Sequence, residues 1–161
     1  MDLLEKNLDM RPTNTALMGL DVGKKTIGVA LSDSSQSIAF PICTIKRTKF
    51  SRDIKALEEI IREYNIGGYV IGLPLNMDNS EGRACQSIRD FGAEFARQLP
   101  QDLQNPWIAL WDERLSTACV NDFVDNVVDT SRRKAKERGI VDKLAAQHIL
   151  QGALDFISRK G

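Results

Sequence analysis

The sequence predicts a mixed α/β fold in which an antiparallel hairpin leads into a parallel half. Two short apolar runs, 17–23 and 26–33, flank the turn-forming Gly23-Lys24-Lys25, which reads as a hairpin. Two later runs, "YVIGL" (69–73) and "WIALW" (107–111), are apolar throughout, the pattern of strands covered on both faces. Segments with apolar residues at helical spacing separate and follow these runs. Strands alternating with helices require a sheet with parallel connections.

Taken in order, residues 1–15 contain acids and no long apolar stretch, so they are neither a secretory signal nor a typical transit peptide. They read as a short mobile leader before a single domain, 16–161. After the hairpin, "SIAFPICTI" (37–45) adds a third strand, and Pro41 places it at an edge or a bulge. "SRDIKALEEIIREYN" offers Ser51 as an N-cap and Asp53 in the first turn, and Ile54, Leu57, Ile60, Ile61 and Tyr64 form its apolar stripe. Gly67-Gly68 is the expected stop. Past the 69–73 strand, "PLNMDNSEG" is a loop. Residues 81–98 form a second helix with Ile88, Phe91, Phe95 and Leu99 on one face, and Pro100 ends it. Beyond the 107–111 strand, 116–128 reads as helix, 131–139 as a basic loop and 140–158 as a last helix. The element order is β-β-β-α-β-α-β-α-α.

Apolar content of 42% and charged content of 27% fit an ordinary soluble domain. No apolar run approaches the roughly 18 residues of a membrane span, so no membrane partner is expected. Cys43, Cys85 and Cys119 are scattered without metal or redox spacing and read as small buried hydrophobes in a reducing, cytoplasmic setting. Formal net charge is zero, so no global field draws the chain to nucleic acid. The charge is uneven: "SRRKAKERG" gathers Arg132, Arg133, Lys134, Lys136 and Arg138 around one acid, Glu137.

Three acids carry the chemical reading. Asp21 lies between Leu20 and Val22 in an apolar strand, where a carboxylate is costly unless something neutralises it. Asp112 and Glu113 follow the 107–111 strand, and ligands of open α/β sheets bind beyond the carboxyl ends of parallel strands. Taken alone, "DER" is a weak signal. Asp142 falls in the first turn of the expected last helix, where the helix dipole favours an acid. Ala145 and Ala146, at i+3 and i+4, would let that helix approach the sheet. Carboxylates brought together repel and hold their protons unless a cation compensates. An all-oxygen set suits Mg²⁺ or Mn²⁺, and no Cys/His cluster competes for zinc. Paired ions about 4 Å apart serve in-line phosphodiester displacement.

"GLDVGKKTIGVALSD", "VIGLPLNMDNSEG", "WDERLST" and "VDKLAAQHIL" occur in the order and spacing of the YqgF, or RuvX, family. The chain resembles this family over roughly residues 16–158. The resemblance implies an RNase H-like fold with a five-stranded mixed sheet flanked by helices. It implies a metal-dependent nuclease acting on the 5′ end of the 16S rRNA precursor, in a family also named for Holliday junction resolution. It assigns Asp21, Glu113 and Asp142 as catalytic residues and ligands of Mg²⁺ or Mn²⁺. Two departures stand out: Thr26 occupies a hairpin position where the family often carries Arg, and residues 1–15 have no counterpart in the family core.

Further residues are candidates for nucleic-acid contact. Asn79 or Ser80 would start the second helix, whose free N–H groups suit a phosphate, with Asn76 assisting. Helix capping explains Asn79 and Ser80 equally well. Arg114 can neutralise a scissile phosphate or pair with a neighbouring acid. Arg132, Arg133, Lys134 and Lys136 stand in the basic segment just before Asp142, placed to grip a backbone. His148 reads as a packing residue. Two other classes stay open. "LDVGKKTIGVAL" also resembles the first phosphate loop of actin-like ATPases, although one such motif in 161 residues is short for that fold. A non-catalytic RNA-binding module would keep the fold without cleavage. The substrate (precursor rRNA or a DNA junction) and the oligomeric state are open at this level.

Overall fold

The computed structural model describes residues 1–113 and 131–160, the last helix by its backbone alone over 131–138. The expected helix 116–128, Cys119 and Arg114 lie outside the described residues, as do the side chains of Arg132, Arg133, Lys134 and Lys136.

Six strands form one mixed sheet: β1 (Asp2–Leu3), β2 (Ala16–Val22), β3 (Thr26–Ser32), β4 (Ala39–Lys46), β5 (Ile66–Leu73) and β6 (Trp107–Asp112). Their order is β1-β6-β5-β2-β3-β4. The β2–β3–β4 half is antiparallel, and β2, β5, β6 and β1 run parallel. The expected mixed α/β sheet is therefore present, with one strand more than the five implied by resemblance. The extra strand comes from the segment read as a leader. Asp2 and Leu3 pair with Ala109 and Leu110, and α1 (Leu4–Asn7) follows at once. Leu4 is 1% exposed, Asn7 Nδ2 donates to the Ile108 carbonyl at 2.9 Å, and Trp107 Nε1 donates to the Asn7 carbonyl at 2.9 Å. Leu3 and Leu4 are too short a run to register as a strand in sequence, yet they supply apolar cover that the β6 edge requires.

Period-2 alternation sorts the sheet into two faces. Met18, Leu20, Ile27, Val29, Ile71, Leu73, Ile108 and Leu110 face α2 (Phe50–Tyr64) and α3 (Arg83–Gln98) in the larger core. Leu17, Ala30, Val70, Ala109 and Trp111 face α4 (Ser131–Lys160), whose Ala146, Ile149, Leu150, Ala153 and Leu154 complete the second core. Among the described residues, no helix is long and apolar enough to cross a membrane.

Several boundaries differ from expectation. Helix α2 begins at Phe50 with Lys49 at its cap, and Ser51 supplies no cap. Asp53 reaches back instead, accepting the Thr48 N–H at 3.0 Å. Asn65, with φ of 53° in the left-handed region, stops α2, so Gly67 and Gly68 belong to β5. Pro41 sits on edge strand β4, where the register shifts opposite Val29 and Ala30, as its missing N–H demands. The largest correction concerns 131–139, which is helix and not loop: α4 is continuous from Ser131 to Lys160. Arg, Lys, Glu and Ala are strong helix formers, and charge excludes burial, not helicity. Gly139 costs about 1 kcal/mol in a helix interior, which is too little to break one that packs on a sheet.

Candidate active site

The alternation that buries Leu17 on the α4 face puts Gly19 and Asp21 on that face too, at the carboxyl end of β2. In β6 it runs from Ala109 through Trp111 to Glu113, the first residue past the strand. Asp21 and Glu113 thus emerge on one face, at the carboxyl ends of two parallel strands separated by β5. Asp142 arrives from α4, twelve positions into the helix, and not from a first turn. Its placement owes nothing to the helix dipole, whose effect fades beyond the first turn. Close packing of the helix on the sheet holds it there.

Glycines make the approach possible. Gly28 pairs with Asp21 across the hairpin. A Cβ at Gly28 would lie 2.0 Å from the Asp142 carbonyl oxygen. At Gly72 in β5, a Cβ would lie 2.7 Å from Glu113 Oε1 and 2.6 Å from Ile149 Cδ1. At Gly19 it would lie 2.6 Å from Leu150 Cβ. Helix and sheet therefore approach closely along the stripe of these glycines, and two of the three acids sit directly over one of them.

The electrostatics follow from this crowding. Asp21 is pushed from 3.8 up to about 8, first by burial and then by the Glu113 charge, a hydrogen bond to Glu113 and the Asp142 charge. Glu113 is also raised, by burial and by Asp112, although the hydrogen bond donated by Asp21 works the other way. A hydrogen bond joins the Asp21 and Glu113 carboxyls. Asp142 lies close enough to act on Asp21 through its charge, while its Oδ2 accepts a 2.7 Å hydrogen bond from Thr26 Oγ1. Among the described residues, no three His, Cys, Asp or Glu side chains close on one point as an ion's ligand set would. The donor chemistry nonetheless fits a hard dication. Asp21 and Glu113 are joined by a hydrogen bond, Asp142 lies near enough for its charge to act on Asp21, and all three donors are oxygens.

The surrounding candidates fall out unevenly. Helix α3 starts at Arg83 with Gly82 at its cap, so neither Asn79 nor Ser80 is at a helix N-terminus. The 74–82 loop closes on itself: Asn76 Nδ2 donates to Ser80 Oγ at 3.0 Å, and Ser80 Oγ donates to Asp78 Oδ1 at 2.5 Å. Thr26 has a structural role that spacing did not signal, since its partner lies 116 residues away. A cavity of about 400 Å³ opens beside Asp112 and Trp111, with Leu3, Leu4 and Glu5 on its wall. Neither this cavity nor those of about 480 and 520 Å³ is lined by Asp21, Glu113 or Asp142, so cavity size does not locate the chemistry.

Comparison with known proteins bears on the family and the fold. The profile of the RuvX family, described as Holliday junction resolvase, matches residues 15–156. A protein of Phenylobacterium zucineum, provisionally named a pre-16S rRNA nuclease, is 49% identical over 144 residues, covering 89% of this chain and 88% of its own. One of Rhodospirillum rubrum with the same provisional name is 43% identical over 159 residues, covering 98% and 93%. Among solved structures, T. thermophilus RuvC in complex with a Holliday junction substrate superposes with a TM-score of 0.54 at 11% identity, covering 91% of this chain and 96% of that one. The yeast mitochondrial Holliday junction resolvase Ydc2 gives 0.53 at 9% identity, covering 97% and 85%. At such identities the likeness is one of fold.

Proposed function

Because the chain belongs to the RuvX family, we propose that it is a divalent-metal-dependent nuclease that cleaves a phosphodiester in the 5′ leader of precursor 16S rRNA. The observation carrying this reading is the acid pair Asp21–Glu113, with Asp142 beside it, at the carboxyl end of the parallel strands. Relatives of 43–49% identity carrying the pre-16S rRNA nuclease name support RNA as the substrate.

Asp21, Glu113 and Asp142 are the residues that hold Mg²⁺ or Mn²⁺. When bound, such an ion supplies a Lewis acid for the phosphate oxygens and water of lowered pKa. The chain's own part is placement. Burial raises the pKa of the Asp21 carboxyl, so a dication bound there would displace its proton to solvent, which makes binding stronger as pH rises. Gly28 and Gly72 leave the room in which the Asp142 backbone and the Glu113 side chain lie against the sheet. The backbone of 131–139 continues the Asp142 helix away from the site with five cationic residues, suited to holding the phosphates that flank the cut. Arg114, next in sequence to Glu113, is assigned to the phosphate at the cut. Asn76 and Ser80, fastened to each other, present the 74–82 loop to the substrate as one unit.

The test is cleavage of an end-labelled precursor rRNA leader, and in parallel of a four-way DNA junction, with Mg²⁺ or Mn²⁺. Wild type is expected to cut the RNA, and Asp21→Asn and Asp142→Asn are expected to lose cutting while keeping wild-type circular dichroism. Undiminished cutting by either variant removes that residue from the mechanism. Cutting of the junction alone moves the substrate to the DNA named in the family description.

A further inference from the structure

We propose that Thr26 is the positioning residue of this site: its hydroxyl fixes the carboxylate that the helix delivers to the two carboxyls of the sheet. The inference rests on the metal-dependent reading above. Its ground is the 2.7 Å hydrogen bond from Thr26 Oγ1 to Asp142 Oδ2, which joins the first residue of β3 to the middle of α4. The Asp142 backbone is already fixed, because its carbonyl lies where a Gly28 Cβ would be and because Thr44 Oγ1 donates to the Gly139 carbonyl one turn earlier. What remains free is the side-chain rotation of Asp142. Thr26, β-branched and stiff at χ1, removes that freedom from a strand paired residue by residue with the strand carrying Asp21. With Oδ2 held by the hydroxyl, Oδ1 is the oxygen left to face a cation between Asp142 and the Asp21–Glu113 pair. Threonine suits this role because it donates without adding a charge.

A role limited to tying helix to sheet predicts lost stability alone, whereas positioning predicts lost ion affinity. The measurement is Mn²⁺ binding to the full chain by isothermal titration calorimetry, with metal-free melting curves recorded alongside. Groups that orient metal ligands typically contribute 10–100-fold in affinity. Thr26→Val is therefore expected to bind Mn²⁺ about tenfold or more weakly than wild type, with unchanged circular dichroism. Thr26→Ser, which keeps the hydroxyl, is expected to bind as wild type does. Should the valine variant misfold, Thr26→Ala removes the hydroxyl with less intrusion and is expected to show the same loss. Wild-type affinity in folded Thr26→Val or Thr26→Ala overturns the proposal, as does equal weakness in Thr26→Ser. Failure of the wild type itself to bind Mn²⁺ overturns the metal-dependent reading and this one together, which separates the two failures.

Discussion

Asp21 is raised to about 8 because burial disfavours its charge and because Glu113 and Asp142 add to the penalty. The sign of the consequence follows. The folded chain keeps a proton that the unfolded chain releases near pH 4, so the metal-free fold loses stability as pH rises from about 4 to about 8. Asp21→Asn has no charge to bury. Its metal-free form is expected to melt above wild type at pH 8 and with it near pH 4, each kcal/mol amounting to about 2–4 °C at this chain length. Melting curves at the two pH values check this, and equal melting at pH 8 would contradict the assigned burial. At this scale the sequence was informative where a residue type clashed with its surroundings. A carboxylate between Leu20 and Val22 announces itself, and Glu113 stands out by following an apolar strand. Thr26 does not, because a hydroxyl at a strand start is unremarkable until its partner is known.

Helix α4 shows where element-level reading succeeds and where it fails. That residues 140–158 are helical was legible. Its start was not, because Gly139 and the surrounding cations look like a boundary when nothing shows what the helix rests on. The close approach at Gly28 is a property of the pair β3 and α4. Gly28→Ala would press a Cβ to 2.0 Å from the Asp142 carbonyl oxygen. Overpacking of this kind costs about 1–3 kcal/mol, and here it also displaces Asp142. Gly28→Ala is expected to lower the melting temperature and to suppress cleavage. Gly82→Ala, where the nearest atom would be 3.6 Å away, is expected to stay within about 0.5 kcal/mol and to cut normally. Parallel thermal melts and cleavage assays compare them, and equal behaviour of the two variants would contradict the packing account.

Across the whole molecule, the first residues are part of the sheet. Leu4 is buried against Ala109 and Trp111 in the core under α4. Leu4→Ala is expected to cost about 2–5 kcal/mol in chemical denaturation, the range for a large core residue. A leader outside the fold would give no change. The sequence by itself determined the mixed α/β class, the hairpin and the two buried parallel strands, because periodicity is a local signal carried by neighbouring residues. Only the tertiary structure decided that residues 2–3 add a sixth strand, that α4 runs unbroken through Gly139, and that Thr26 holds Asp142. Each of these depends on which surfaces meet across about a hundred residues of chain, and a contact of that range leaves no periodic trace in either segment that makes it.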